Sequence, residues 1–154
     1  MTQAETCILT GGEPTIHNLS ALIDALIVER VNKTIDIESN GTNLTQLCAL
    51  VDRDDTPFCI CPTISPKPPM PPPHEALWPG AILKLVYNLE PDMTWLRPWL
   101  EFGSSMFGTE TYLQPQWTED EDFRRIQSRK ILELCQQYPS VRFSIQGHKF
   151  YGLE

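Results

Sequence analysis

The run Leu9-Thr10-Gly11-Gly12-Glu13-Pro14 has the residue types of a ligand-facing turn. Two adjacent glycines let a backbone come close to a ligand, and their amides and carbonyls offer hydrogen bonds. A helix following directly would present its N-terminus, which suits a carboxylate or phosphate. Glu13 can orient an amino group, and Pro14 fixes the direction in which the chain leaves. A tight strand-to-helix turn with no ligand accounts for the same residues.

Similar polar clusters recur along the chain as ESNGT, SPK, VYN, QPQW and QGHK. Ser65 and Lys67 flank Pro66 and supply a hydroxyl and a cation for ribose or carboxylate oxygens. Lys67 reads equally well as a solvated residue opening a loop. Gln114, Pro115, Gln116 and Trp117 set two amides beside an aromatic plane, which suits a purine, although Trp117 can also pack on a following helix. Asn40-Gly41 is in addition the strongest short hairpin signal. His17, His74 and His148 are isolated and do not compose a metal site. No Ser-His-Asp arrangement, Walker loop or dinucleotide fingerprint is present.

Six apolar segments stand immediately before these clusters: Cys7 to Thr10, Thr34 to Glu38, Phe58 to Ile64, Ile82 to Tyr87, Thr111 to Gln114 and Val141 to Gln146. Their separation fits strand-helix-strand units and so a parallel sheet in an α/β fold. In such folds the loops at the carboxyl ends of the strands converge on one crevice, so the polar clusters are candidates for a single site. Leu19, Leu22, Ile23, Leu26 and Ile27 form one helical stripe, with Asn18 or Thr15 as its cap. A second helix is predicted from about Glu119 to Tyr138, burying Phe123, Ile126, Leu134, Cys135 and Tyr138 and turning Arg124, Arg125 and Lys130 to water. Six of the eight residues from Pro66 to Pro73 are proline, so the stretch from about 65 to 80 is predicted to be a stiff loop.

With 154 residues, 41% of them hydrophobic and 21% charged, the chain is expected to form one domain, 1–154, around one core. A net charge of -8 argues against nucleic acid and anionic membranes as partners. The N-terminus lacks the pattern of a signal peptide, and no apolar run reaches membrane-spanning length, so a cytoplasmic location is expected. Five cysteines in irregular spacing are expected to be reduced and buried as structural thiols.

The succession LTGGEPTIHNLSALIDAL, IESNGT, TISPK, ILKLVY, YLQPQW and VRFSIQGHKFYGLE resembles, in order and spacing, the 7-carboxy-7-deazaguanine synthases, a radical S-adenosylmethionine family. GGEP is shared across much of that superfamily. SPK, the LQP turn and the terminal QxHKxxGL pattern point to this family among its relatives. The resemblance implies a partial (β/α) barrel with about six parallel strands in this chain. It also implies a lyase reaction that turns 6-carboxy-5,6,7,8-tetrahydropterin into 7-carboxy-7-deazaguanine for queuosine and other deazapurines. S-adenosylmethionine, a 4Fe-4S cluster and Mg2+ are the family's cofactors, and family enzymes tend to form homodimers.

By motif match, Thr10 would contact the pterin substrate, and Gly12, Ser65, Pro66, Lys67, Gln114, Pro115, Gln116 and Trp117 would hold S-adenosylmethionine. Glu154 falls at the C-terminal position that reaches the substrate in the family. One departure is large. The family's cluster loop, Cys-x-x-x-Cys-x-x-Cys after the first barrel strand, has no counterpart, and the chain opens at what resembles the second strand. The expectation is therefore a barrel missing its first strand-loop unit and inactive alone. A half of a split enzyme that needs a complementing N-terminal fragment, or a non-catalytic S-adenosylmethionine and pterin binder, fits the same residues.

Overall fold

Strict alternation along Thr34–Ser39, with Ile35 and Ile37 fully buried between half-buried Thr34, Asp36 and Glu38, marks a sheet with one tightly covered face. The computed structural model describes residues 5–29, 34–54, 59–74, 77–89, 93–106 and 108–150. The chain divides into two compact units, Met1–Pro66 and Lys67–Glu154. The predicted α/β class with six parallel strands is met, three strands falling in each unit.

The first unit contains β1 (Thr6–Leu9), a 3-10 turn (Pro14–Ile16), α1 (Leu19–Glu29), β2 (Thr34–Ser39), α2 (Leu44–Val51) and β3 (Cys59–Ile64). Its strands pair in the order β1-β2-β3, with Leu9 beside Ile37 and Ile37 beside Pro62. Each parallel pairing needs a crossover, and α1 and α2 supply them. Asn18 caps α1, its Oδ1 accepting from the Ser20 amide at 3.1 Å, whereas Thr15 bonds to Glu13. The buried stripe of α1 is narrower than its apolar one: Leu19 and Ile23 are buried, but Leu22 is 42% exposed. Asn43 caps α2 through a 3.2 Å bond from the Gln46 amide.

The second unit contains β4 (Ile82–Tyr87), α3 (Leu96–Ser105), β5 (Glu110–Pro115), α4 (Glu121–Gln137), β6 (Val141–Phe143) and a single turn, α5 (Gly147–Phe150). The order is β4-β5-β6, again parallel. The described part of the proline-rich stretch carries no helix or strand, as its composition predicts. It is tied to α3 where the Met70 carbonyl accepts from the indoles of Trp95 and Trp99 at 2.7 and 2.9 Å. Gly103 lets α3 lie close against its sheet, because a Cβ there would stand 2.5 Å from Thr111 Oγ1 and 2.9 Å from its Cγ2.

Three features differ from what the sequence predicts. The last strand stops at Phe143 instead of reaching Gln146. Ser144 still donates to Leu113 O at 3.0 Å, but the next bond of the parallel ladder would fall to the nitrogen of Pro115, which has no hydrogen to give. In α4 the buried side is Gln127, Ile131 and Leu134, while Phe123 is exposed and Ile126 is 55% exposed. The cysteines are not buried: Cys59 is exposed and Cys7, Cys48, Cys61 and Cys135 are half-buried.

Candidate functional site

Gly11 and Gly12 both have positive φ, +88° and +54°, so the turn after β1 requires residues free of a Cβ penalty. Among the described residues, a Cβ at either would meet nothing within 4 Å. The glycines therefore serve the backbone path and leave open space above it, room that a ligand can occupy. Thr10, also exposed, donates from Oγ1 to Glu38 Oε2 at 3.0 Å, joining the carboxyl ends of β1 and β2.

Glu13 is held by four donors. Its Oε1 accepts from the Thr15 amide at 3.1 Å, the Thr15 hydroxyl at 2.6 Å and the Ser39 hydroxyl at 2.7 Å, and its Oε2 accepts from the Asn40 amide at 2.6 Å. Burial pushes its carboxyl up, but hydrogen bonds from the Thr15 side chain, the Asn40 amide, the Ser39 side chain and the Thr15 amide outweigh this and hold it below its ordinary value. Glu13 thus clamps the turn after β1 to the end of β2, and Oε1 has no room for a further donor. Asn40-Gly41 is no hairpin: it leads from β2 into α2, with Gly41 at φ +84° and its amide donating to Ser39 Oγ at 3.0 Å.

Ser65 and Pro66 end the first unit and Lys67 opens the second. Ser65 continues the edge of β3, its amide donating to Ser39 O at 2.7 Å. Pro66 is buried and Lys67 is exposed. The Lys67 carbonyl accepts from the Met70 amide at 2.9 Å in the first turn of the proline-rich stretch.

In the second unit, Pro115, Gln116 and Trp117 line a cavity of about 380 Å3, within the usual range for small ligands. Gln114 lies just before them and is buried in β5. Glu121, Arg124 and Arg125 from α4, and Ile145 and Gln146 after β6, line the cavity as well. Arg124 sits 4.9 Å from the centre of the Trp117 ring and Lys149 Nζ at 6.0 Å, both cation-π contacts. Arg124 is further fixed by a bond to the Thr118 carbonyl at 2.5 Å, so it does not simply meet water as expected of it. The Trp117 indole donates to Glu119 Oε1 at 3.0 Å. Gln146 Oε1 is buried and has no hydrogen-bond partner among the described residues.

The structure thus brings Pro115, Gln116 and Trp117 together with Arg124 and Gln146, and separately brings Thr10 and Gly12 to the open end of β1. Arg124 was missed as a site residue because helix periodicity assigns it a solvated face. Only the position of QGHK at a strand end hinted at Gln146. Glu154 lies outside the described residues. Among the described residues no group of three or more His, Cys, Asp or Glu side chains converges as metal ligands. No described helix is long and apolar enough to cross a membrane.

No family model and no solved structure matches the chain. Among curated proteins, 7-carboxy-7-deazaguanine synthase from Synechocystis sp. is 28% identical over 147 residues. The match covers 95% of this chain but 61% of that protein, so the chain spans less than two-thirds of its relative's length. The similarity suggests the 7-carboxy-7-deazaguanine synthase family.

Proposed function

We propose that this chain is the S-adenosylmethionine- and pterin-holding part of a 7-carboxy-7-deazaguanine synthase, and that alone it binds these ligands without converting them. The similarity along 95% of the chain to a synthase of that name carries the reading. The cavity beside Trp117 supports it chemically. S-adenosylmethionine joins a purine to a zwitterionic amino acid, and the cavity sets an aromatic plane, the Gln146 side chain, the cations Arg124 and Arg125 and the carboxylate Glu121 around one space. Trp117 would stack on the purine, the Gln146 amide would turn toward the cavity to meet an amino group, and the arginines would face the carboxylate.

When bound and cleaved, S-adenosylmethionine supplies the radical that opens this family's reaction; the chain's own part is to bind, orient and shield. Gln114, Pro115 and Gln116 are further proposed contacts for it in the second unit; the resemblance alone proposes Gly12, Ser65, Pro66 and Lys67 for S-adenosylmethionine and Thr10 for the pterin. The described residues do not fit a 4Fe-4S cluster, since no three of their thiols or other ligands converge. No step of catalysis is therefore assigned to this chain. Whether a second polypeptide or an upstream coding segment bears the Cys-x-x-x-Cys-x-x-Cys loop separates half of an enzyme from a pure binding protein.

Calorimetric titration of the purified, iron-free chain tests the reading. Measurable heat of binding is expected for S-adenosylmethionine and for 6-carboxy-5,6,7,8-tetrahydropterin. Trp117→Ala should weaken S-adenosylmethionine about tenfold or more, from the worth of stacking one base on an aromatic ring. Absence of heat with both ligands sinks the proposal, and an unchanged affinity in Trp117→Ala sinks the assignment of the cavity.

A further inference from the structure

β3 begins with Cys59 and continues through Cys61, and residues two apart on a strand share a face. Their sulfurs are 3.2 Å apart. Both thiols are free, Cys59 exposed and Cys61 half-buried. The register sets them beside Thr34 and Asp36 of β2, on the face opposite to buried Ile60 and Pro62. Neither thiol belongs to the ligand residues described above. Two thiols with no third converging ligand among the described residues make a poor site for a structural metal ion.

We propose that Cys59 and Cys61 are a redox-active dithiol, which a low-molecular-weight disulfide such as oxidised glutathione converts to an intrachain disulfide. Exposure makes Cys59 the attacking sulfur. Its thiolate attacks one sulfur of the small disulfide, the S–S bond breaks, and one glutathione leaves as a thiolate that takes up a proton. Cys61 then gives up its proton and attacks the Cys59 sulfur of the mixed disulfide, expelling the second glutathione. The protein loses two electrons and two protons, and one small disulfide becomes two thiols. Cys61 suits the second role. Burial, the hydrogen bond and charge of Cys59 and the charge of Asp36 push its thiol up to about 11, and the two contributions of Cys59 end once its sulfur is bound in the mixed disulfide.

The strand geometry sets the character of the bond. A rise of about 3.3 Å per residue puts Cα atoms two apart at roughly 6.6 Å, near the upper end of what a disulfide spans. Closing it requires the first residues of β3 to pucker, and a bridge formed under that constraint is readily reduced again. Such a bond is a switch rather than a staple.

The test uses the full reduced chain, exposed to increasing ratios of oxidised to reduced glutathione, with free thiols then alkylated and peptides weighed by mass spectrometry. Cys59 and Cys61 should vanish from the alkylated pool together, in a peptide lighter by two hydrogens, and return when reduced glutathione is restored. Cys61→Ser should accumulate a glutathione adduct at Cys59. Cys59→Ser should form an adduct at Cys61 about tenfold more slowly or less, as the less accessible thiol. A glutathione adduct that persists on Cys59 in the unsubstituted chain overturns the proposal. So does oxidation of Cys7, Cys48 or Cys135 at the same rate as the pair.

Discussion

Glu13 shows how one side chain can be occupied by structure in a motif that reads as chemistry. Four donors meet its carboxylate, and the group is held below its ordinary pKa. The unfolded chain therefore binds the proton more readily than the folded one, so the stabilisation is complete above the ordinary carboxylate range and is lost as pH falls through the lowered folded value. Glu13→Gln keeps the shape but turns a donor toward one of the donors. It should cost about 1–2 kcal/mol near neutrality, the lower part of the range for bonds to a charged group because the site is half open to water. Urea midpoints of the two proteins should differ most at neutral pH and draw together on acidification; a gap that widens in acid contradicts the clamp. The sequence identified the two glycines and the turn. It could not assign Glu13, because Ser39 and Asn40 lie some twenty-six residues away and meet it only once β1 and β2 are paired.

Elements were legible where one period dominated. β2, β4 and α1 appear nearly as their patterns predict, since alternation or a helical stripe runs their full length. α2 and α3 leave no clear period in the sequence. α2 is only eight residues long, and α3 has Pro98 and Gly103 inside it, residues that usually argue against a helix. Both are tolerated here, Pro98 in the first turn and Gly103 where the sheet comes close. The buried side of α4 departs from its hydropathy pattern because a core position is a glutamine: Gln127 is fully buried and donates from Nε2 to the Tyr87 carbonyl at 3.3 Å, while apolar Ile126 faces outward. Hydropathy cannot detect a polar residue whose donor is satisfied by a strand end. Gly103→Ala tests the close approach of α3. Alanine is the better helix former, yet its Cβ would collide with Thr111, a short β-branched side chain with little freedom to yield. A loss of about 1–3 kcal/mol is expected in thermal or urea unfolding. Thr111→Ala in the same chain should recover much of it, the two changes being strongly non-additive; additive losses would mean that the contact is not the cause.

For the molecule as a whole, charge and exposed apolar surface act against each other. A net charge of -8 and an isoelectric point near 4.8 keep copies apart at neutral pH. The first unit meanwhile exposes Ile8 by 58%, Ile16 by 73% and Val28 by 79%, and Ile8 lies on β1, the outer strand of its β1-β2-β3 order. Outer strands offer unpaired backbone groups to a neighbouring chain, and a charge on such a strand is the usual protection. The chain is therefore expected to associate as pH falls from about 7 toward the isoelectric point, where repulsion fades and the apolar surface remains. Ile8→Lys should reduce that association. It also raises the net charge by one unit, which shifts repulsion by itself, so the comparison needs Gln137→Lys, the same charge change at an exposed position at the end of α4. Light scattering of all three proteins between about pH 7 and pH 5 separates the causes. If the edge strand carries the association, Ile8→Lys stays monodisperse over a range where Gln137→Lys follows the unsubstituted chain. If both lysine variants behave alike, net charge alone sets the association and β1 plays no part in it.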